Sequence, residues 1–218
     1  MVPRFDLIVF DWDGTLMDSA AAIVAAILAA CRDLGIEPPS EALARHIIGL
    51  GLHDALRTAL PELDPRDYGR LAERYRYHYL SRDEDLELFA GAFELISDLH
   101  AAGRRLGVAT GKSRPGLNRS LAASGLDAFF HITRCADECF SKPHPAMLLD
   151  IMSSLGVDPE RALMIGDTTH DLQMARNAGI AAVAVAFGAH PRRELLAERP
   201  LACVEDFPEL EAWLQSHG

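Results

Sequence analysis

The sequence predicts an α/β fold: a Rossmann-like parallel sheet flanked by helices, with an all-helical segment inserted after the first strand. Three observations predict it. Short apolar runs bounded by Gly, Asp or Arg recur along the chain. Helical patterns ending in glycine lie between them. One long stretch, residues 19–83, has helical periodicity and no convincing strand.

The apolar runs are "LIVF" at 7–10, "RLGVAT" at 105–110, "ALMIGD" at 162–167 and "AAVAVAF" at 181–187. Near-continuous apolar character over so few residues suits strands covered on both faces, as parallel strands are. The helical pattern at 91–103 places Phe93, Leu95, Ile96 and Leu99 on one side. Those at 145–156 and 170–179 end, like the first, in a glycine that can close a helix. The insert opens with the alanine-rich run "SAAAIVAAILAACRDLG" and closes on the polar, aromatic-rich "ERYRYHYLSRDED" at 73–85.

Composition narrows the function. The chain has 218 residues, 49% of them hydrophobic, which is enough for one sizeable core or a core plus a smaller domain. Its net charge of −11 argues against nucleic acid as a partner and against a basic membrane-surface helix. The longest apolar run, residues 20–31, is too short to span a bilayer, and no signal-peptide pattern opens the chain, so the expected location is cytoplasmic. Cys135 and Cys139 are spaced C-x3-C without a second Cys/His cluster nearby, so the cysteines read as reduced rather than zinc-binding. Of 21 basic residues only Lys112 and Lys142 are lysines. A compact ammonium differs chemically from a guanidinium, which makes both worth following.

Chemistry gathers at the ends of the predicted strands. The first run leads into Asp11, Trp12, Asp13 and Gly14. Period-two alternation would point Asp11 and Asp13 the same way if the strand continues, and ligands of open α/β sheets bind beyond the carboxyl strand ends. Two carboxylates this close repel, and a hard divalent cation would offset that. The second strand ends at Thr110 and Gly111. The adjoining "GKS" is no nucleotide-binding P-loop, because position 106 is Leu where that motif needs Gly. What remains is a hydroxyl and backbone N–H groups able to hold phosphate oxygens. Lys142 stands before Pro143 in a loop near a helix start. Gly166 and Asp167 close the next apolar run, and Asp171 opens the following helix. Each feature alone has a plainer reading as a turn, a cap or a solvated lysine.

Together, in this order, these features resemble the haloacid dehalogenase superfamily. "DWDGTLMDS" looks like its first motif, Thr110-Gly111 its second, Lys142 its third and "GDTTHD" its fourth. The segment 17–83 resembles a helical C1-type cap inserted into a core made of 1–16 and 84–218, as in phosphoglycolate-phosphatase-like members. The resemblance implies an Mg2+-dependent phosphatase acting on a small phosphorylated metabolite. Asp11 would be the nucleophile and form an aspartyl-phosphate, and Asp13 the general acid and then base. Asp11, Asp13, Asp167 and Asp171 would serve the metal, Thr110 and Gly111 the phosphoryl oxygens, and Lys142 the accumulated negative charge. Many relatives carry Asn where this chain has Gly111, and Lys112 could compensate for the missing amide.

Several alternatives stay open. Asp13 disfavours a dehalogenase, which lacks the second acid. The absence of lysine from residues 19–83 disfavours a Schiff-base phosphonate hydrolase. A phosphosugar mutase, a pyrophosphatase or nucleotidase, and a catalytically dead binding protein remain. Leaving-group choice is expected in the cap, with Arg45, His46, Arg57, Tyr75, Arg76 and His78 as candidates. A phosphoglycolate-like substrate is favoured, and the chain is expected to be a monomer or homodimer.

Overall fold

The computed structural model describes residues 4–81 and 86–217. Within them lies a six-stranded, wholly parallel sheet. The strands are β1 (Leu7–Phe10), β2 (Arg105–Thr110), β3 (Ile132–Cys135), β4 (Ala162–Gly166), β5 (Ala181–Val185) and β6 (Cys203–Val204), in the spatial order β3-β2-β1-β4-β5-β6. The chain builds one half outward from β1 and then returns to β4 on β1's other side. The β1/β4 boundary is therefore a topological switch point, where the carboxyl ends of the strands open a crevice.

The apolar runs alternate between the two faces of the sheet. Ile8, Phe10, Leu106, Val108, Leu163 and Ile165 pack in one buried cluster, whereas Leu7, Val9, Ala109, Ala162 and Met164 pack in another. Helix α5 (Ala92–Ala101), α6 (Arg114–Ser124) and α10 (Phe207–His217) cover the first face, and α7 (Ala146–Leu155) and α8 (Thr169–Ala178) the second. Burial on both sides explains why these strands read as continuous apolar runs instead of alternating ones. α9 (Arg192–Ala197) lies between β5 and β6.

Between β1 and α5 stand four helices and no strand among the described residues: α1 (Ala20–Asp33), α2 (Glu41–His46), α3 (Leu52–Ala59) and α4 (Tyr68–Leu80). α1 packs against α4, and the insert has apolar clusters of its own, one built on Ala30, Cys31, Leu56 and Leu71. The domain boundary expected at 83/84 falls outside the described residues.

β3 and β6 escaped the sequence reading for identifiable reasons. β3 is an edge strand, mostly half-buried, and carries Thr133 and Arg134. β6 is two residues long. None of the described helices is long and apolar enough to cross a membrane.

Candidate active site

Short segments just past the carboxyl ends of the strands build the site. β1 stops at Phe10, but Asp11 N–H still bonds the Ile165 carbonyl of β4 at 2.9 Å, which holds Asp11 beside the end of that strand. The chain then turns. Strand alternation therefore does not set the direction of Asp13; a turn does. Gly14 has φ +82° and its N–H bonds Met17 O at 2.9 Å. A side chain at Gly14 would also run into the Asp167 carboxylate, so the glycine is needed for conformation and for space together.

Asp11, Asp167 and Asp171 are fully buried, and one carboxylate oxygen from each lies within 4.8 Å of the others. Lys142 Nζ sits 2.7 Å from Asp11 Oδ1 and 2.7 Å from Asp171 Oδ1, also out of solvent. Asp171 is the third residue of α8. Its Oδ2 accepts from the Thr168 N–H at 3.0 Å and hydroxyl at 2.6 Å, closing a capping box. Both its oxygens are engaged. Asp167 accepts from the Thr15 hydroxyl at 2.8 Å and the Ala189 N–H at 2.7 Å. Asp11 Oδ2 is buried without a hydrogen-bond partner.

Electrostatics show what this arrangement lacks. Burial pushes the Asp11 carboxyl well up, Lys142 pulls it back, and Asp171 and Asp167 push it up again. Burial, reinforced by Asp171, raises Asp167 to about 7. Burial opposes the Lys142 ammonium, but Asp11 and Asp171 outweigh it and raise its pKa. Three buried carboxylates thus face one buried ammonium. A divalent cation fits that imbalance, and the unpartnered Asp11 Oδ2 beside Asp167 offers it oxygen ligands of the type hard cations take.

Thr110, buried at the end of β2, accepts the Lys112 N–H at 3.2 Å through its hydroxyl and borders the same cavity as Asp11 and Asp13. That cavity measures about 540 Å3 and lies between the strand ends and the helical insert. Gly111 is where the two meet: a β-carbon there would stand 2.5 Å from Leu50 O and 2.6 Å from Gly49 O. The insert's backbone occupies the space in which an asparagine side chain would begin.

The structure sorts the residues proposed for leaving-group contacts. Tyr75 and Arg76 of α4 border the cavity. Arg45, His46, Arg57 and His78 do not. Arg57 lies over the Tyr68 ring, and His78 bonds Asp33 at 2.7 Å on the insert's outer side. His46 belongs to a seam between insert and core. Its carbonyl lies 2.9 Å from Nε2 of both His170 and His190, and its ring stacks on His190. His190 Nδ1 accepts the Thr169 N–H, so Nε2 carries the proton and donates. With both ring nitrogens engaged, His190 cannot join His46 and Glu194 in holding a metal.

Sequence reasoning passed over three contributors: Thr15, Ser19 and the Ala189 N–H. The two hydroxyls lie within the first motif, and the Ser19 hydroxyl donates to Asp13 at 2.7 Å. No side chain could have announced the Ala189 amide. Tyr79, read only as part of an aromatic stretch, reaches Lys112 at 2.9 Å.

Comparison with known proteins agrees with this architecture. The chain is 38% identical over 212 residues to the "Probable phosphatase IndB" of Dickeya dadantii (strain 3937), covering 94% of this chain and 91% of that protein. It is 36% identical over 188 residues to the tyrosine-protein kinase PtkA of Mycobacterium tuberculosis, covering 84% of this chain but only 62% of PtkA. The crystal structure of a hydrolase from Pseudomonas syringae superposes with a TM-score of 0.89 at 26% identity, over 96% of this chain and 97% of that one. Residues 8–185 match the haloacid dehalogenase-like hydrolase family, and the chain belongs to it.

Proposed function

We propose that the protein is an Mg2+-dependent phosphatase that hydrolyses a small phosphorylated metabolite through an aspartyl-phosphate on Asp11. The observation that carries this reading is the buried carboxylate cluster of Asp11, Asp167 and Asp171 around Lys142, at the switch point of the sheet, with Asp11 on the wall of the cavity. Asp11 and Asp167, with the Asp13 backbone carbonyl, would hold the ion, which would supply positive charge beside the attacked phosphorus. Asp171 supports from outside, since its oxygens already serve Lys142 and the α8 cap.

The residues then have separable tasks. Asp11 attacks phosphorus while Asp13 gives a proton to the departing oxygen; Asp13 later takes a proton from the water that cleaves the acyl-phosphate. Thr110 and the Gly111 amide hold phosphoryl oxygens, and Lys142 offsets charge on the nucleophile and the transferred group. The helical insert over 17–83 acts as a cap that excludes water and selects the leaving group.

A phosphoglycolate-like substrate is the favoured class on family resemblance. The cap wall refines it. Ile23, Ile27, Ile48, Leu52 and Tyr75 face the cavity, and 540 Å3 holds far more than a two-carbon acid. A leaving group with an apolar body beside its charge uses that wall better. The kinase relative extends well beyond this chain, so its activity is not carried over.

The test is hydrolysis of p-nitrophenyl phosphate with and without Mg2+, followed by a panel of phosphorylated metabolites. Turnover that vanishes with EDTA and returns with Mg2+ is expected. Metal-independent turnover, or none with any phosphomonoester, would overturn the assignment. Within the panel, a higher kcat/KM for phosphoglycolate than for bulkier esters would return the substrate to the smaller class.

A further inference from the structure

Lys112 is the second of the two lysines, and its place is specific. It lies just past the end of β2, and its side chain is 8% exposed. Its Nζ stands 3.0 Å from Asp13 Oδ1 and 2.9 Å from the Tyr79 hydroxyl, with the ammonium 4.7 Å from the centre of the Tyr79 ring. Asp13 Oδ1 also accepts the Ser19 hydroxyl at 2.7 Å. Both donors converge on one oxygen. Neither of these contacts is to Asp13 Oδ2.

Ser19 and Tyr79 come from opposite ends of the insert. Ser19 is the N-cap residue of α1, yet its hydroxyl makes no capping bond and serves Asp13 instead. Tyr79 is in the last turn of α4, stacked on Tyr75 with ring centres 5.8 Å apart. α1 and α4 pack together. The grip on Asp13 is therefore complete only when the insert is docked on the sheet.

We propose that Lys112 is a positioning residue for proton transfer. With Ser19 it pins Oδ1 of Asp13, so that Oδ2 is the oxygen that carries the transferable proton toward the leaving group. Tyr79 makes that orientation depend on cap docking. The inference rests on the phosphatase reading and adds a residue to it. The step balances: an Asp11 oxygen–phosphorus bond forms, the phosphorus–leaving-group bond breaks, and the proton moves from Asp13 Oδ2 to the departing oxygen. The departing oxygen leaves as a neutral hydroxyl, and Asp13 remains as a carboxylate able to accept a proton from water.

A series of substituted phenyl phosphates tests this, because kcat/KM reports the steps through departure of the leaving group. A p-nitrophenolate leaves with little help from an acid, whereas phenolate needs the proton. Lys112→Met is expected to lose about 3-fold in kcat/KM with p-nitrophenyl phosphate and about 100-fold with phenyl phosphate. Tyr79→Phe keeps the ring under the ammonium and drops the hydroxyl; it should tilt the series the same way, by about 10-fold at phenyl phosphate. Lys112→Arg should restore most of the loss, because a guanidinium can still pin Oδ1. Equal losses across the series, with an unchanged slope against leaving-group pKa, would show a merely structural lysine and overturn the proposal. A wild type inert toward the whole series would instead overturn the phosphatase reading, and this inference with it.

Discussion

The two walls of the cavity are built on opposite principles. On the sheet side, Asp11, Lys142, Asp167 and Asp171 are wholly buried and nearly every polar atom has an assigned partner. On the cap side the wall is mostly aliphatic and aromatic, and of the basic residues proposed for it only Arg76 borders the cavity, while His46 lies in the seam and Arg57 and His78 contact other residues of the insert. Charge fixed in a dry, rigid setting is what phosphoryl transfer needs, because the groups need not reorganise during the reaction. An apolar wall on helices can change without disturbing that centre. On the proposed reading, chemistry and selectivity fall to separate elements, whose meeting places include Gly111, Lys112, the Ser19–Asp13 and Gly51–Ser141 bonds and the His46 seam.

Removing the sheet-side cation should produce the largest effect. Lys142→Met leaves Asp11 and Asp171 buried without their ammonium, so kcat should fall by about 1,000-fold. Stability without divalent cation should fall by about 3–5 kcal/mol, the scale for breaking a buried ion pair. Steady-state kinetics and urea unfolding measure the two. Near-native activity would show that charge on this wall is not organised around the lysine.

A substitution at the junction should be milder and act through the other wall. Gly111→Asn would drive its β-carbon against Leu50 O and Gly49 O, both backbone atoms, so the 49–51 loop must retreat. KM should rise by about 10-fold with a smaller change in kcat, as expected for loosened ground-state contacts. A fall confined to kcat would mean that the glycine serves the sheet side.

The smallest effect separates the walls by pH. Asp167, raised to about 7, keeps a proton in the folded chain that the unfolded chain has already lost above about pH 4. The folded state therefore binds more protons between about pH 4 and 7, and stability without metal should decline as pH rises through that window and level off above it. If Mg2+ is held by the ionised carboxylates as proposed, it should raise Tm by several degrees more at about pH 8 than at about pH 5, as calorimetry would read. A Tm gain from Mg2+ independent of pH would place the ion away from Asp167.

The sheet wall was largely legible in the sequence, and the cap wall was not. Asp11, Thr110, Lys142 and Asp167 announce themselves because each stands at or near the end of a recognisable element, and parallel topology brings such ends to one rim. Asp13 was found too, but the Gly14 turn directs it where strand alternation had been expected to. The cap residues depend on how helices rotate against the sheet. Tyr75, Arg76 and Tyr79 reach the cavity, whereas His78, next to Tyr79 on α4, turns outward to Asp33. Spacing on a helix gives a face, and only tertiary packing says which way that face looks.

The most direct measurement asks whether Asp11 itself carries the phosphoryl group. Enzyme turning over an aryl phosphate with Mg2+ is quenched and reduced with borohydride, which converts an acyl-phosphate side chain to the alcohol, and its peptides are mapped by mass spectrometry. The account predicts homoserine at position 11, only when Mg2+ and substrate are both present, and none in Asp11→Asn. Reduction at another carboxylate, or an active enzyme with Asp11 unmodified throughout turnover, would contradict it.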